Sequence, residues 1–161
     1  MKSNHYTHSL YYKLLIGYLI FGLLGFITIA TISSEMTYHH LVERESEVLY
    51  DEATMIADRC SKAYEGKTIN LDSAYPQIEA VSAYLQSDIW ILNHEGTIVA
   101  DSSDSRTGIA IDDFDPTAQG NRLYSIGQYY NLFDSKVLSV SAPITGNMKT
   151  YGYIVIHMPI Q

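Results

Sequence analysis

Five aspartates between positions 101 and 115 are the side chains of this chain that most resemble a site for chemistry. Carboxylate oxygens are the ligands that Ca²⁺ and Mg²⁺ prefer. The densest part of the run therefore predicts a divalent-cation site at Asp112, Asp113 and Asp115. The alternative is that these three residues cap a short helical turn, since Asp is a preferred N-cap residue. On that interpretation Asp101 and Asp104 are solvated.

Motifs of catalysis and of tight metal binding are absent from the sequence. It has no glycine-rich phosphate loop, no His and Cys residues at metal-ligand spacing, and no nucleophile elbow around a serine. None of the six histidines lies in a context that resembles a phosphoacceptor histidine box. Cys60 is the single cysteine, which excludes a disulfide framework and predicts a small buried side chain. We therefore predict no catalytic residue and no cofactor in this chain.

The charge of the chain is distributed asymmetrically. Before Ser34 the charged residues are Lys2 and Lys13, whereas the sequence from Glu35 onward carries 8 basic and 18 acidic residues. An acidic surface is unsuited to nucleic acid, which binds proteins through basic side chains that neutralise phosphates. Because 47% of the residues are apolar and 17% are charged, the composition predicts a folded domain and no nucleic-acid partner.

Residues 14–34 form a run of 21 residues without a charge, long enough to cross the hydrocarbon core as a helix. Lysines precede the run and glutamates follow it, which places the N-terminus in the cytoplasm by the positive-inside rule. A cleaved secretory signal is the alternative, but its apolar region would be shorter and would end in an Ala-x-Ala-like site. We expect residues 1–13 to form a cytoplasmic tail, 14–34 a transmembrane helix in contact with lipid, and the remainder to lie outside the cytoplasm.

Residues 35–66 are predicted to form a long juxtamembrane helix that ends at Gly66, because no Pro or Gly precedes this glycine in the stretch. Apolar residues recur along it at intervals of seven, which is the spacing of a coiled-coil seam. We therefore predict a parallel homodimer in which two such helices pair. The alternative is a helix that only covers its own domain, since two heptads are fewer than a coiled coil requires. The predicted dimer and signalling residues are Leu41, Val42, Val48 and Leu49.

Residues 67–161 are predicted to form an α+β domain in which helices pack on one face of a five-stranded antiparallel sheet. A second helix is expected to have Pro76 in its first turn and to end near Ser87. The apolar run 89–92 and the segment 97–100 predict a β-hairpin, because turn-forming residues separate them. Three further strands are expected at residues 123–130, 136–144 and 151–158.

The segment Asp88–Ser102, with the sequence DIWILNHEGTIVADS, resembles the first hairpin of an extracytoplasmic PAS-like domain of the single Cache or PDC type. The segments SAPI at 141–144 and GYIVIH at 152–157 are similar to the last two strands of that family. Together with the apolar span and the long helix, the resemblance covers residues 14–158. It implies the layout of sensor histidine kinases from Gram-positive bacteria.

The resemblance implies a function in signalling. The chain would be the sensing and transmembrane-signalling input module of a two-component sensor histidine kinase in a bacterial cell membrane. The same module occurs in chemoreceptors and diguanylate cyclases, and a membrane-tethered binding protein without a transmitter domain is a further alternative. In the kinases a second membrane span follows the sensor domain, so we expect the chain to be a fragment of a receptor that continues after Gln161. The signal, a small molecule or an ion, is not identified by the resemblance.

The resemblance also implies a small-molecule pocket between the sheet and the loop that joins its second and third strands. An arginine there can hold a ligand carboxylate through two hydrogen bonds, and Tyr or Ser side chains can orient a polar ligand. The alternative is a vestigial pocket with solvated polar side chains around it. His157, on the last strand, is expected to be a sheet histidine with its hydrogen bonds satisfied. The predicted ligand-binding residues are Arg106, Arg122, Tyr124, Ser139 and Ser141.

Overall fold

The structure, a computed structural model, describes residues 5–62, 64–65, 68–69, 71–116 and 124–160. The chain divides into two units, Met1–Val42 and Glu43–Gln161. The helices and strands follow in the order α1 (His5–Lys62), β1 (Tyr64–Glu65), β2 (Thr68–Ile69), α2 (Leu71–Leu85), β3 (Asp88–Asn93), β4 (Ile98–Asp101), β5 (Tyr124–Gly127), β6 (Val137–Gly146) and β7 (Lys149–Pro159).

The first unit, as far as it is described, is the N-terminal part of α1. Every side chain from Leu10 to Leu41 is exposed. Judged by length and composition, the helix can cross a membrane. Three threonine hydroxyls are satisfied within the helix: Thr28, Thr31 and Thr37 each donate a hydrogen bond of 2.8 Å to the carbonyl four residues earlier. Such bonds suit a segment in lipid, where an unpaired polar group is costly.

Helix α1 runs without a break through the boundary at which the sequence predicted two successive helices. The reason is that no residue between Gly25 and Gly66 is a Gly or a Pro, so nothing interrupts the helical hydrogen bonds. The helix ends at Lys62, before the predicted end at Gly66. A short antiparallel pair that the sequence did not predict, β1 with β2, lies between α1 and α2.

In the second unit, α1 buries one stripe of small and aliphatic side chains at intervals of three and four residues. Complete burial of an aliphatic side chain such as Leu contributes about 1.5–3 kcal/mol to folding. The hydroxyl of Ser61 donates a hydrogen bond to the carbonyl of Thr145, which ties the end of the helix to β6. In α2, Pro76 lies inside the helix and not in its first turn, because α2 already begins at Leu71. The buried stripe of α1 consists of Leu49, Ala53, Ile56, Ala57 and Cys60.

The main sheet has five strands in the order β4-β3-β7-β6-β5, and every neighbouring pair is antiparallel. This confirms the predicted α+β fold with a five-stranded antiparallel sheet. Strand β5 is shorter than predicted, since it ends at Gly127 and not at Tyr130. The chain turns back there because Tyr129, Tyr130 and Asn131 adopt positive φ angles of 36°, 52° and 60°, which an extended strand does not allow.

Side chains alternate between the two faces of the sheet along each strand. One face, the helix side, carries the buried residues Ile89 and Ile91 of β3 and Ile154 and Ile156 of β7. The opposite face, the loop side, carries Trp90, Leu92 and Val155 in one buried cluster with Ile111 and Tyr129 from the loops. The segments 102–116 and 128–134 therefore cover the face that the helices leave open.

Two glycines of the sheet lie at positions where a side chain does not fit. Gly152 on β7 pairs with Asn93 on β3. A Cβ atom at Gly152 would overlap the carbonyl oxygen of Leu92 and lie 3.2 Å from its carbonyl carbon. Gly96, in the turn between β3 and β4, has a φ of 85°, and the ring of Phe114 packs against it. The close approach at Gly152 is between β7 and β3, whereas that at Gly96 is between the β3–β4 turn and the ring of Phe114.

Candidate functional site

The candidate site lies on the loop side of the sheet, where three neighbouring strands bring polar residues into one row. His157 on β7 pairs with Asp88 on β3 and with Ser139 on β6. Trp90 follows Asp88 on the same face of β3 by alternation. Trp90, Ser139 and His157 are at most 1% exposed. The antiparallel pairing therefore assembles a row with a buried part and a partly exposed end at Asp88 from segments that are distant in the sequence.

Four rings, two of them from this row, pack against one another and form what we call the aromatic cluster: Trp90, Tyr129, Phe133 and His157. The ring centroids of Trp90 and Phe133 are 5.3 Å apart and the rings are stacked with an interplanar angle of 8°. The His157 ring lies 4.1 Å from Trp90 and 4.4 Å from Tyr129. These separations match or fall just below the usual range for aromatic pairs, so side chains of the chain itself fill this space.

The loop after β5 carries two of the four rings, those of Tyr129 and Phe133. Its hydrogen bonds run from the Leu132 N–H to the Tyr129 carbonyl at 3.1 Å and from the Phe133 N–H to the Gln128 carbonyl at 3.2 Å. Tyr129 and Tyr130 hold positive φ angles although neither is a glycine. Backbone conformations of this kind persist where the surrounding packing determines them. The burial of Tyr129 against His157 and Trp90 is the packing that stabilises the loop.

Arg106 lies over the aromatic cluster at the side that faces solvent. Its guanidinium carbon is 4.7 Å from the ring centroid of Phe133 and 5.4 Å from that of Trp90. Nη1 lies 3.7 Å from Oδ2 of Asp88 and donates a hydrogen bond of 3.2 Å to the Ser105 hydroxyl. Nη2 donates to the carbonyl of Leu132 at 3.4 Å. The arginine thus joins β3 to both covering loops.

The carboxylate of Asp101 fixes the loop that carries Arg106. It is fully buried and accepts hydrogen bonds of 2.9–3.2 Å from the backbone N–H groups of Ser103, Ser105 and Arg106. The hydroxyls of both serines donate to it as well. An ionised carboxylate makes such bonds shorter and stronger than a neutral acceptor does. Asp101 therefore sets the backbone position of Arg106. The interpretation of the acidic run as a helix cap expected Asp101 to be solvated, whereas the structure buries it.

His157 has one ring nitrogen with a partner and one without. Its Nδ1 lies 2.8 Å from the Ser139 hydroxyl. Its Nε2 is buried without a hydrogen-bond partner in the described part of the chain, and the same holds for Nε1 of Trp90. Burial, and then the nearby charge of Arg106, hold the pKa of His157 well below its usual value. The ring is therefore neutral at physiological pH, and its hydrogen bonds are only partly satisfied.

Asp88 is the acidic member of the site that solvent reaches, with its side chain 37% exposed. Burial, together with the negative charge of Asp101, raises the pKa of Asp88, and the charge of Arg106 opposes this shift. A positive charge beside Asp88 consequently stabilises its ionised form.

The predicted ligand-binding residues do not all lie at the candidate site. Arg106 and Ser139 belong to the site just described. Ser141 lies on the same face as Ser139, two residues further along β6 and opposite Val155. Tyr124 pairs with Val140, which places it on the helix side of the sheet. Arg122 lies outside the described residues.

The predicted metal residues Asp112, Asp113 and Asp115 are all exposed. In the described ranges, no group of three or more His, Cys, Asp or Glu side chains is placed to hold a metal ion. The geometry adds no support to a cation site in this loop, which stays a prediction from the sequence.

The predicted dimer residues separate into two sets. Val42 and Leu49 are buried, with 7% and 1% of their side chains exposed. Leu41 and Val48 are exposed by 56% and 48%, and Met55, seven residues further, by 41%. The exposed stripe Leu41, Val48 and Met55 keeps the heptad spacing, whereas the buried set belongs to the interior of the chain.

Ser139 and His157 form a hydroxyl–imidazole pair, but both side chains are buried away from any substrate. In the part of the chain that is described, no carboxylate bonds the Nε2 of His157 and orients the ring as a general base requires. The pattern of buried strand residues indicated that Trp90 is internal. It did not indicate that Trp90, Phe133 and His157 meet, because that requires the register of β3 with β7.

No protein-family model matches the chain, and no curated protein matches it. Among solved structures it is similar to the sensor domain of the histidine kinase DctB from V. cholerae, with a TM-score of 0.48 and 11% identity over 79% of this chain and 57% of that one. It is also similar to the ligand-binding domain of the Campylobacter jejuni chemoreceptor Tlp3 in complex with L-norvaline, with a TM-score of 0.47 and 11% identity over 74% of this chain and 55% of that one. A second Tlp3 sensory-domain structure gives a TM-score of 0.45 at 13% identity, over 74% of this chain and 57% of that one. The chain spans little more than half the length of each of these sensor domains.

Proposed function

We propose that the chain is the extracytoplasmic sensing and transmembrane-signalling module of a bacterial receptor, of the sensor histidine kinase type. The observation that carries the proposal is the continuity of α1. This single helix contains both the apolar span and the buried stripe from Leu49 to Cys60 that forms part of the domain core. A change in the packing of the sheet on this stripe would act directly on a helix that continues into the membrane.

The membrane orientation is tested by cysteine labelling in intact cells. Met148 is fully exposed in the turn between β6 and β7, so Met148→Cys should react with a membrane-impermeant maleimide from outside. Lys2→Cys, in the predicted cytoplasmic tail, should react only after the membrane is permeabilised. The native Cys60 can stay in place, because it is buried. Labelling of Lys2→Cys in intact cells and protection of Met148→Cys would reverse the proposed orientation.

We also propose that two copies pair in parallel through the exposed stripe Leu41, Val48 and Met55. These residues recur at intervals of seven on one helix, and a membrane anchor would orient two copies in the same direction. In membranes under mild oxidation, Val48→Cys should form disulfide-linked dimers. Its buried neighbour Leu49→Cys is the matched control and should stay monomeric. Equal cross-linking of the two variants would contradict a specific interface, and cross-linking that responds to no activating condition would count against signalling through this helix.

A ligand site on the loop side of the sheet completes the proposed function. Arg106 and Ser139 lie there beside the aromatic cluster, and Ser141 is on the same face. The separate proposal of a cation site at Asp112, Asp113 and Asp115 is tested by isothermal titration with Ca²⁺ and Mg²⁺, and the absence of heat would end it. The sequence encoded after Gln161 distinguishes the output types: a histidine box supports the kinase, methylation helices a chemoreceptor, and a GGDEF segment a cyclase.

A further inference from the structure

The guanidinium of Arg106 lies in surroundings that suit a small organic cation in general. On one side are the rings of Phe133 and Trp90, at 4.7 Å and 5.4 Å from the guanidinium carbon. The faces of aromatic rings attract positive charge. On another side is the carboxylate of Asp88, 3.7 Å from Nη1. Aromatic faces combined with one carboxylate are a recognition site for ammonium and guanidinium groups.

The contacts that hold Arg106 there are loose. The 3.7 Å separation from Asp88 is well beyond the roughly 2.7–2.9 Å of a charge-assisted hydrogen bond. The bond from Nη2 to the Leu132 carbonyl, at 3.4 Å, is also long. The side chains of Arg106 and Asp88 are 25% and 37% exposed, so solvent and solutes reach both. A competing cation can therefore approach the site from the outside.

Beneath the arginine, the cluster contains two buried polar atoms that the present packing does not satisfy. Nε1 of Trp90 and Nε2 of His157 have no hydrogen-bond partner among the residues that the structure describes. A buried polar atom without a partner is costly, which gives the cluster an energetic reason to rearrange when a polar ligand enters.

The charge of the whole domain favours the same class of ligand. From Glu35 onward the chain carries 8 basic and 18 acidic residues. An excess of negative charge raises the local concentration of cations and their association rate. At Arg106 itself, the carboxylate of Asp88 lies 3.7 Å from the guanidinium, and the buried carboxylate of Asp101 accepts the backbone N–H at 2.9 Å.

We propose that this site binds a small organic cation with a guanidinium or ammonium head, and that the cation displaces Arg106 from Trp90, Phe133 and Asp88. The inference rests on the proposed sensing function and names its ligand class. Arg106 is then an internal competitor that occupies the site in the unliganded protein. This differs from the role that the sequence predicted for Arg106, in which its guanidinium holds a ligand carboxylate.

The test is a fluorescence titration of the full chain in detergent, with Trp90, the single tryptophan, as the reporter. The probes are agmatine and tetramethylammonium, with NaCl at matched ionic strength as the blank. We expect a saturable change with both cations. Arg106→Ala should bind agmatine at least tenfold more tightly, because the competitor is gone. Asp88→Asn should bind it at least tenfold more weakly.

Asp104→Asn is the matched control for Asp88→Asn. Asp104 is exposed on the same loop as Arg106, and the change removes the same charge without touching the cluster. Its affinity for agmatine should equal that of the wild type. Saturable binding of succinate that disappears in Arg106→Ala would overturn the proposal in favour of an anionic ligand.

Circular dichroism verifies that each variant folds. If Arg106→Ala does not fold, the comparison of Asp88→Asn with Asp104→Asn decides, and equal agmatine affinities overturn the proposal. The maleimide labelling at Met148 and Lys2 reports membrane orientation without any ligand. If the cation titration shows no binding but the labelling pattern is as expected, the ligand class alone is rejected. The proposed membrane topology of the receptor is then unaffected.

Discussion

Substitution of Gly152 by alanine should be one of the most destabilising single-methyl additions in the sheet. The added Cβ would overlap the carbonyl oxygen of Leu92 and lie 3.4 Å from Cα of Asn93. Both neighbours are backbone of β3, which is paired on both edges with β4 and β7 and cannot move away. Overpacking typically costs about 1–3 kcal/mol, and an obstacle of backbone atoms places Gly152→Ala at about 3 kcal/mol. For a domain of this size, that lowers the melting temperature by roughly 10 °C.

Gly127→Ala is the control for this experiment. Gly127 also lies in the sheet, on β5, but a Cβ there meets no atom within 4 Å. Alanine at this position should change stability by less than about 1 kcal/mol, and in the stabilising direction. Thermal unfolding of the detergent-solubilised chain, followed by Trp90 fluorescence, measures both variants. A Gly152→Ala melting temperature within 2 °C of the wild type, on the order of less than 1 kcal/mol, would refute the packing argument.

Three further outcomes are expected. Burial and Arg106 lower the pKa of His157, so the unfolded chain takes up a proton at this residue before the folded chain does. The free energy of unfolding should therefore fall below about pH 6.5 by about 1.4 kcal/mol per pH unit. Urea unfolding at several pH values should show this slope, and an equal slope in His157→Gln would contradict it. Burial raises the pKa of Cys60 to about 11. Mass spectrometry should therefore detect N-ethylmaleimide on this thiol only after denaturation. Rapid labelling of the folded chain would be inconsistent with its burial. Asp101→Asn removes a charged acceptor and should lower the free energy of unfolding in urea by about 2 kcal/mol. A loss no larger than that of Asp104→Asn would show that the loop does not depend on the Asp101 carboxylate.

Much of the fold follows from local patterns in the sequence. Two apolar runs around a turn predicted the β3–β4 hairpin. The turn has the hydrogen bonds that its residue types indicate, since Oδ1 of Asn93 accepts the N–H groups of Glu95 and Thr97 at 3.0 Å and 2.8 Å. Strands β6 and β7 were predicted within a few residues of their ends. The two halves of α1 were predicted as successive helices, and the structure joins them into one because no helix breaker separates them. The shortened β5 was not predicted, since nothing local requires Tyr129 and Tyr130 to adopt positive φ.

The site was predictable only in part, for a reason of topology. Arg106 and Ser139 were chosen by resemblance, and the structure places both beside the aromatic cluster. The contact of Trp90 with His157 depends on the pairing of β3 with β7, and β4, β5 and β6 lie between these two strands in the sequence. Local propensity carries no information about such register. The separation of Leu41 from Val42 likewise depends on which side of α1 the domain covers.

The carboxylate of Asp101 has a consequence for how the sequence of this loop can vary. Because it holds the backbone of Ser103, Ser105 and Arg106 from below, the path of the loop depends on one buried acid and two small hydroxyls. The exposed side chains of Asp104 and Thr107 make a long hydrogen bond of 3.4 Å with each other, and none of the bonds to the Asp101 carboxylate comes from them. Mutation at those positions can therefore alter the outer edge of the site while the loop keeps its course. The chemistry of this surface can then change by single substitutions, without the insertions or deletions that a new loop path would require.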